Sequence, residues 1–417
     1  MKRNTADTGA RRRRVCALLI VLCTVLATAG CRTVSIKPPL GNAYRAHRTL
    51  HAVPAVTETT LTKYRPASVS LIAVGDNLIH GTLLRDAARG NGYDFHPFYE
   101  NIKPYIEAAD IAVINQESPL GKGKASAYPT FNTPQQCGQA LIDTGFDVVS
   151  HANNHAMDSG AKAVYDTLDF WDAHADSGVI RTGIARDAAD RAVIRYLERD
   201  GMKIGFLAYT YGLNGNSLPK DNPDLISLID RDKIKTELAA ARAVCDAVVV
   251  IMHWGVEYET KQNRDQEELA EFLTENGATL IIGGHPHVCQ PCGWVQSENG
   301  NRAFCIYSTG NFISAQSQTN TMVEAMLQVT LTRQKDGSVA VENPGVMPLV
   351  CYFRSGWRGY RVIPMDDYTE AMARSHCLAG RCRMSPAHLR SVAEDAFGEF
   401  LIAKTIPGTG TDGGQAA

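Results

Sequence analysis

The sequence has 417 residues, of which 44% are hydrophobic, 21% charged and 7% aromatic, and its formal net charge at pH 7 is −2. This is the composition of a globular protein with enough apolar side chains for a sizeable core. The balanced charge argues against nucleic acid as the main partner, because phosphate backbones require a basic patch. Any recognition of an anionic partner must therefore be local.

The N-terminus has the zones of an export signal. A basic region that includes the arginines at 11–14 is followed by an apolar run over 15–26 and by small residues that lead into Cys31. The apolar run is shorter than the about 20 residues that a membrane-spanning helix needs. The small residues before the cysteine resemble a bacterial lipobox, although Thr28 stands where leucine is usual. We predict a signal peptide with lipobox over 1–31. The protein is then an exported, membrane-anchored lipoprotein on the outer face of the cell membrane or in the periplasm, with an uncleaved anchor or free secretion as alternatives.

The remaining chain divides into four segments by composition and pattern. Residues 32–67 are polar and contain prolines, which predicts a flexible tether. Residues 68–335 carry alternating apolar and helical patterns and the motifs described below, so they are expected to form the main domain. We expect residues 336–405 to be a C-terminal extension that packs on this core. The glycine-rich residues 406–417 are predicted to be a disordered tail.

Short apolar runs alternate with amphipathic stretches through the main domain. The runs predict strands at 69–74, 111–114, 147–149, 204–209, 247–252, 280–282 and 303–307. Apolar residues at three- and four-residue spacing predict helices at 161–174, 233–244 and 266–276, with a further one at 386–401. Strands of this kind that alternate with helices indicate an α/β layered core with buried sheets. The alternating segment 322–332 predicts an antiparallel strand that extends or caps a sheet.

Nearly every predicted buried strand ends in a polar residue that can bind a metal ion. These residues are Asp76, Glu117, Asn154, His155, His253, His285 and His287. Each of them alone has an ordinary structural explanation, such as a turn, a helix cap or a core histidine. Because α/β sheets place their chemistry at the carboxyl ends of strands, we expect them to meet in one crevice. Imidazoles, carboxylates and an amide oxygen together suit zinc, manganese or iron(II). The sequence therefore predicts a divalent-metal site.

The cysteines leave two alternatives open. Of the 11 cysteines, three lie in the signal region, which leaves eight for the rest of the chain. An even number permits disulfides in an oxidising compartment, but sequence does not give their connectivity. Cys289 and Cys292 lack a second C-x-x-C partner for zinc, so we expect a local disulfide or buried thiols. Cys377 and Cys382 are candidates to close a small loop.

Six motifs in order make the resemblance to a known family specific. They are Gly75-Asp76, the residues at 115–119, the residues at 152–155 with Asp158 and Gly160, the residues at 253–258, the residues at 284–288 and the residues at 307–312. Together they resemble the CapA family of bacterial poly-γ-glutamate capsule synthesis, also called PgsA. The resemblance covers about 68–313, more than half of the chain. That family is similar to the calcineurin-like metallophosphoesterases. The resemblance therefore implies a four-layer αββα sandwich of the metallophosphoesterase type, an α/β (α+β) fold, in place of an open sheet.

The resemblance also implies roles for individual residues. Asp76, Glu117, Asn154, His253, His285 and His287 match metal ligands, and His155 matches the catalytic histidine that contacts the scissile group. The predicted substrate-binding residues are Asn115, Trp254, Glu257, Tyr258 and Asn311. The aromatic residues Trp254, Tyr258 and Tyr307 have packing in the core as an alternative role. One position departs from the pattern, because Leu78 stands where the phosphoesterases carry a ligand histidine, and His80 lies at a different spacing. We therefore expect one or two divalent ions, with one the safer expectation.

These features lead to two functional hypotheses. The first is a metal-dependent hydrolase or transferase of capsule or cell-envelope polymer biosynthesis. It would use a metal-bound water with a lowered pKa to attack a phosphoester or a γ-glutamyl bond. The second is a non-catalytic, membrane-anchored component of a polyglutamate synthesis and export complex. The expected partners are an anionic envelope polymer such as poly-γ-glutamate and membrane synthase or exporter subunits.

Overall fold

The computed structural model describes residues 66–407. The predicted signal peptide over 1–31 lies outside the described residues, as do residues 32–65 of the predicted tether and residues 408–417 of the predicted tail. Among the described residues, no helix has both the length and the apolar character needed to cross a membrane.

The described residues contain sixteen strands and ten α-helices. The strands are β1 (Ser68–Asn77), β2 (Ala88–Arg89), β3 (Gly92–Tyr93), β4 (Ile111–Gln116), β5 (Val148–Ser150), β6 (Ile180–Thr182), β7 (Tyr196–Arg199), β8 (Met202–Thr210), β9 (Ala247–His253), β10 (Leu280–Gly284), β11 (Cys289–Gln296), β12 (Arg302–Thr309), β13 (Asn311–Ile313), β14 (Val323–Arg333), β15 (Val339–Arg354) and β16 (Arg358–Pro364). The helices are α1 (Gly81–Ala87), α2 (His96–Tyr99), α3 (Lys103–Ala108), α4 (Gln136–Thr144), α5 (Gly160–Ala173), α6 (Ala188–Arg191), α7 (Arg231–Arg242), α8 (Arg264–Glu275), α9 (Glu370–Ser375) and α10 (Pro386–Phe397).

Two large mixed sheets form the body of the protein. The first has the strand order β16-β15-β14-β1-β4-β5-β6, with β13 beside β1, and the second has the order β11-β12-β10-β9-β8-β7. Strands β1, β4, β5 and β6 run parallel to one another, as do β8, β9, β10 and β12. Parallel strands bury both faces, which is why their sequences are nearly continuous runs of apolar residues.

Side-chain alternation shows how the layers are stacked. In β9, Val249 and Ile251 belong to the large core cluster that also holds side chains of the first sheet. Their neighbours Val248 and Val250 belong to a second cluster, with α7 and α8. Successive side chains of a strand point to opposite faces, so the second sheet lies between the first sheet and these two helices. Helices α1–α5 cover the first sheet, which gives the four-layer αββα architecture that was expected.

Local signals explain where the flanking helices begin. Helix α8 starts with a capping box, in which the side chain of Asn263 accepts from the backbone N–H of Gln266 and the side chain of Gln266 accepts from the backbone of Asn263. Helix α7 is capped by Asp230, whose carboxylate accepts from the backbone N–H groups of Asp232 and Lys233. Such caps satisfy amide groups that have no partner within the helix.

The predicted strands and helices are confirmed, with ends that differ by at most four residues. The alternating segment at 322–332 is β14, which pairs antiparallel with β1 along its length. Strands β15 and β16 continue the first sheet beyond β14, and α10 adds Leu389, Ala393 and Phe397 to the large core cluster. All eight cysteines in the described residues are free thiols, and Cys289 is one of the buried ones.

Candidate metal centre

The ends of four strands from two sheets bring the predicted ligands together. Asp76 lies in β1 and Glu117 follows β4, both in the first sheet. His253 ends β9, and His285 and His287 follow β10, both in the second sheet. The strand-end convergence expected from the sequence is therefore present, but it spans two sheets rather than the edge of one.

Two overlapping groups of ligand atoms lie at this junction. One group consists of Glu117, His253 and His285, and the other of Asp76, Glu117 and His287. Within each group all ligand atoms lie within 4.8 Å of one another, and all five side chains are buried. Glu117 belongs to both groups, so it is the residue able to bridge two ion positions.

The contacts of Glu117 test whether a cation fits. Its Oε1 lies 3.2 Å from His253 Nε2 and its Oε2 lies 3.7 Å from His287 Nδ1. Yet neither oxygen has a hydrogen-bond partner among the described residues, and Glu117 is 0% exposed. Nδ1 of the buried His285 also lacks a partner in the described part of the chain. Buried polar atoms without partners are costly, and a divalent ion would satisfy them with ligand types that suit it. The residues therefore fit a metal ion.

The pKa values of the two carboxylates in the centre are shifted in opposite directions. Burial alone raises the pKa of Asp76, but the hydrogen bond to His287 and the charges of His253 and His287 outweigh it and lower the pKa to about 2. Burial and the charge of Asp76 raise the pKa of Glu117 well above its usual value. Two carboxylates in one buried site cannot both ionise cheaply without a cation.

The imidazoles also differ. Burial lowers the pKa of His253 to about 3, and burial with the charges of His253 and His287 lowers the pKa of His285 to about 2. These two rings are therefore neutral, as a metal ligand must be. Burial also lowers the pKa of His287, but the charges of Glu117 and Asp76 outweigh it and raise the pKa to about 9. The protonated His287 thus balances the charge of the ionised Asp76.

The backbone around the histidine pair is unusual. His285 has φ of 95° and His287 has φ of 60°, in the left-handed region that side chains rarely adopt. The backbone N–H of His285 donates to Asp76 Oδ2 at 3.1 Å. A Cβ on Gly284 would lie 2.8 Å from Asp76 Oδ1, so only glycine permits this approach. Strained residues held in this way are typical of functional sites.

Three asparagines hold the ligands in place. Asn154 Oδ1 lies 2.8 Å from His253 Nε2, which makes it a further candidate ligand. Asn115 Nδ2 donates to Asp76 Oδ1 at 2.8 Å, and Asn311 Oδ1 lies 3.1 Å from His287 Nδ1. The sequence predicted substrate binding for Asn115 and Asn311. In the structure both are buried and contact candidate ligands.

His155 lies beside the centre and is paired with a carboxylate. Its Nδ1 lies 2.8 Å from Asp158 Oδ2. Burial lowers the pKa of His155, but the hydrogen bond to Asp158 and the charge of Glu117 outweigh it and raise the pKa above its usual value. The sequence singled out Asp158 only as part of a motif. Its spacing of three residues from His155 is the signal that could have predicted this pair.

The structure shows the surroundings of Leu78, which stands where the phosphoesterases carry a ligand histidine. Leu78 is buried in the core, and His80 belongs to neither group of ligand atoms found among the described residues. The Nδ1 atom of His80 lies 3.2 Å from the backbone oxygen of Leu78 and accepts from the backbone N–H of Ala315. His80 therefore does not replace the missing histidine in this arrangement.

The predicted substrate-binding side chains lie in two places. Glu257 and Tyr258 are exposed, and the ring of Tyr258 lies 6.1 Å from that of His287. Tyr211, which the sequence did not single out, is also exposed, and its ring lies 4.5 Å from that of His285. By contrast, Trp254 is only 2% exposed, and its Nε1 donates to the backbone oxygen of Tyr307. The exposed rings of Tyr211 and Tyr258 thus lie beside the centre, whereas Trp254 packs within the protein.

Fold and site together define a four-layer α/β sandwich protein with a candidate metal centre at the junction of its sheets. The family described as bacterial capsule synthesis protein PGA_cap matches residues 70–316. This match covers more than half of the chain, and the chain belongs to this family. The matched region contains every candidate metal ligand.

Two curated relatives are named for PGA or capsule biosynthesis. The chain is 29% identical over 282 residues to the PGA biosynthesis protein CapA of Bacillus subtilis, which covers 67% of this chain and 72% of that protein. It is 27% identical over 292 residues to the capsule biosynthesis protein CapA of Bacillus anthracis, which covers 67% of each.

The matches to solved structures are more distant. A 5′-nucleotidase precursor from Thermus thermophilus is 11% identical with a TM-score of 0.41, over 79% of this chain and 58% of that one. The NAD nucleotidase of Haemophilus influenzae is 10% identical with a TM-score of 0.43, over 82% of this chain and 64% of that one. The chain thus spans less than two thirds of either solved structure.

Proposed function

We propose that this protein is a metal-dependent hydrolase or transferase that acts on a capsule or cell-envelope polymer. The observation that carries the proposal is the pair of ligand groups that share the buried Glu117, with the His155–Asp158 pair beside them. Family membership supports the link to capsule synthesis.

The candidate ligands would be Asp76, Glu117, Asn154, His253, His285 and His287. A divalent cation bound there supplies Lewis acidity and an acidified water at neutral pH. His155, with its Nδ1–H directed to Asp158, is placed to give a proton to a leaving oxygen or nitrogen. The exposed rings of Tyr211 and Tyr258 would contact the substrate as it enters. Both a phosphoester and a γ-glutamyl amide are compatible with this arrangement.

Turnover assays test the proposal. Phosphodiester and γ-glutamyl substrates are incubated with added manganese or zinc, for the wild type and for His285→Ala. A matched control is His174→Ala, which removes an imidazole that packs on Phe170 in α5 and belongs to neither ligand group. We expect metal-stimulated turnover that His285→Ala abolishes and His174→Ala retains. No metal-stimulated turnover on any of these substrates would overturn the proposal.

A second function is favoured by one observation, the buried leucine at position 78 where a ligand histidine is usual. In this case the protein is a non-catalytic component of a polyglutamate synthesis and export complex, and a metal ion bridges the carboxylates of the polymer. Equilibrium binding of poly-γ-glutamate with and without manganese tests it. Metal-dependent binding without turnover supports this role, and the absence of such binding contradicts it.

The proposed location is the outside of the cell membrane, with a lipid anchor at Cys31. The basic, apolar and small-residue zones that precede this cysteine support the proposal. Cell fractionation of the wild type and of Cys31→Ser tests it. We expect the wild type in the membrane fraction and the variant released from it, whereas an unchanged membrane location of the variant would favour an uncleaved anchor.

A further inference from the structure

Residues 126–132 form a closed loop next to the candidate centre. Ser126 and Asn132 pair through two backbone hydrogen bonds, at 3.1 and 3.0 Å. Within the loop, the Ser126 hydroxyl donates to the backbone oxygen of Thr130 at 2.8 Å. The loop is therefore a defined structure that can hold a side chain in a fixed place.

Phe131 points from this loop into the protein. It is 0% exposed, and its ring meets two imidazoles edge to face. The ring centroid lies 4.9 Å from that of His155, at an interplanar angle of 79°, and 5.3 Å from that of His80, at 88°. Such edge-to-face contacts favour one orientation of each ring over others.

The backbone of Phe131 contacts Asp158, the carboxylate partner of His155. Its N–H donates to Asp158 Oδ2 at 3.0 Å, and the same oxygen lies 2.8 Å from His155 Nδ1. Its carbonyl oxygen accepts from the Ser159 hydroxyl at 2.7 Å. One residue thus contacts the imidazole through its ring and the carboxylate through its backbone, and a hydrogen bond to the residue after Asp158 secures the contact.

We propose that Phe131 is a positioning residue for His155, and that it fixes the imidazole for proton delivery to the leaving group. This inference rests on the proposed hydrolytic function. In that reaction the oxygen of water bonds to phosphorus and loses a proton to the solvent, while the bond to the leaving oxygen breaks. His155 gives its proton to that leaving oxygen. An imidazole that is free to rotate delivers the proton less often. The rate therefore falls most for the least acidic leaving groups, which depend most on protonation.

A leaving-group series tests this role. The substrates are aryl methyl phosphates whose phenols decrease in acidity from p-nitrophenol to p-methoxyphenol, with manganese present. We expect Phe131→Leu to lower kcat about 10–100-fold on the p-methoxyphenyl ester and less than about threefold on the p-nitrophenyl ester. Asp158→Asn should show the same selectivity, and the double variant should lose less than the product of the two single losses. Equal losses on all esters would overturn the inference, since a merely structural role affects every substrate alike.

A matched control and an independent measurement separate positioning from packing. Phe353→Leu truncates another fully buried phenylalanine, which stacks on Trp357 and Tyr360 and lies 4.7 Å from the ring of His376, a histidine that belongs to neither ligand group. This variant should leave the leaving-group dependence unchanged. If Phe131→Leu does not fold, Ser159→Ala removes only the hydrogen bond to the Phe131 carbonyl and should shift the dependence in the same direction.

Nitrogen-15 NMR of histidine-labelled protein reports on the pair without turnover. We expect the Nδ1–H resonance of His155, hydrogen bonded to Asp158, to be lost or shifted upfield in Phe131→Leu and retained in Phe353→Leu. An unchanged resonance in Phe131→Leu would overturn the inference even if the wild type turned over none of the esters. Absence of turnover in the wild type would count against the proposed function alone.

Discussion

The Oε1 atom of Glu117 lies 3.2 Å from His253 Nε2, although the two residues come from different sheets. Glu117 follows β4 in the first sheet and His253 ends β9 in the second. A cation held between them would join the two halves of the sandwich at one end. Metal binding and the stability of the fold should therefore be linked.

Glu117→Gln should change stability in opposite directions with and without metal. Burial raises the pKa of Glu117, so in metal-free protein the carboxylate destabilises the folded state as the pH rises above the unfolded pKa. Glutamine removes that cost, and we expect the melting temperature of chelated protein at pH 8 to rise by roughly 2–4 °C per kcal/mol gained. In metal-loaded protein the variant should be less stable, with metal affinity lower by about 100-fold or more.

Differential scanning calorimetry of chelated and manganese-loaded protein checks this inversion. A decrease in stability of the same size in both states would contradict the role of Glu117 as a shared ligand.

Much of this centre could be predicted from the sequence, because strand ends are recognisable. The runs before Asp76, Glu117 and His253 are nearly all apolar, and a polar residue that follows such a run lies at the carboxyl edge of a sheet. The sequence does not show which sheet a strand joins, since β4 and β9 look alike. The residues alone therefore predicted an open sheet, and only the family resemblance predicted two sheets.

The missed strands are either very short or contain proline. Strands β2, β3, β6, β7 and β13 have only two to four residues, and β11, β15 and β16 contain proline. Strand β11 contains Pro291 but lies at the edge of the second sheet, where a missing N–H need not break the ladder. Strand β15 contains Pro344, next to Asn343 with φ of 49°, where its pairing with β14 shifts register. Phe131 could not be predicted either, because its partners lie more than twenty residues away along the chain and meet it only through the fold.

Gly284→Ala should weaken metal binding without unfolding the protein. A Cβ at this position would meet Asp76 Oδ1 at 2.8 Å, so the carboxylate must shift. We expect metal affinity to fall roughly 10–100-fold, as when the support of a ligand is disturbed. The control is Gly293→Ala in β11, where an added Cβ meets no atom within 4 Å. Isothermal titration with manganese compares the two, and an equal affinity for both variants would show that the approach of Gly284 to Asp76 is unimportant.

Glu324→Gln should stabilise the protein at neutral pH. Glu324 is fully buried in β14, and neither carboxylate oxygen has a partner among the described residues. Burial raises its pKa well above the usual value, so the folded state binds more protons than the unfolded state between the two pKa values. Stability therefore falls as the pH rises from the unfolded pKa of about 4.3 through the folded pKa. The neutral variant avoids this loss, by on the order of 1–3 kcal/mol at pH 7.

Urea unfolding at pH 4, 7 and 9 measures the effect for Glu324→Gln. The advantage of the variant should vanish near pH 4 and grow toward pH 9. Glu342 offers a control in the adjacent strand β15, because it is exposed and accepts hydrogen bonds from Thr332 and Gln334. The variant Glu342→Gln should show no gain that increases with pH, and a constant advantage of Glu324→Gln at every pH would point to packing instead of titration.

Trp254→Phe and Tyr258→Ala should separate packing from substrate contact. Trp254 is buried and donates to the backbone oxygen of Tyr307 at 2.8 Å, so the phenylalanine variant leaves that oxygen without its partner and loses packed volume. We expect the free energy of unfolding to fall by about 1–3 kcal/mol, with metal affinity and KM unchanged.

Tyr258 is exposed beside His287, so its truncation should raise KM and leave stability within about 0.5 kcal/mol. Thermal unfolding and steady-state kinetics on both variants check this pair. A raised KM in Trp254→Phe at unchanged stability would instead assign the tryptophan to the substrate cleft, the other role that its sequence position allows.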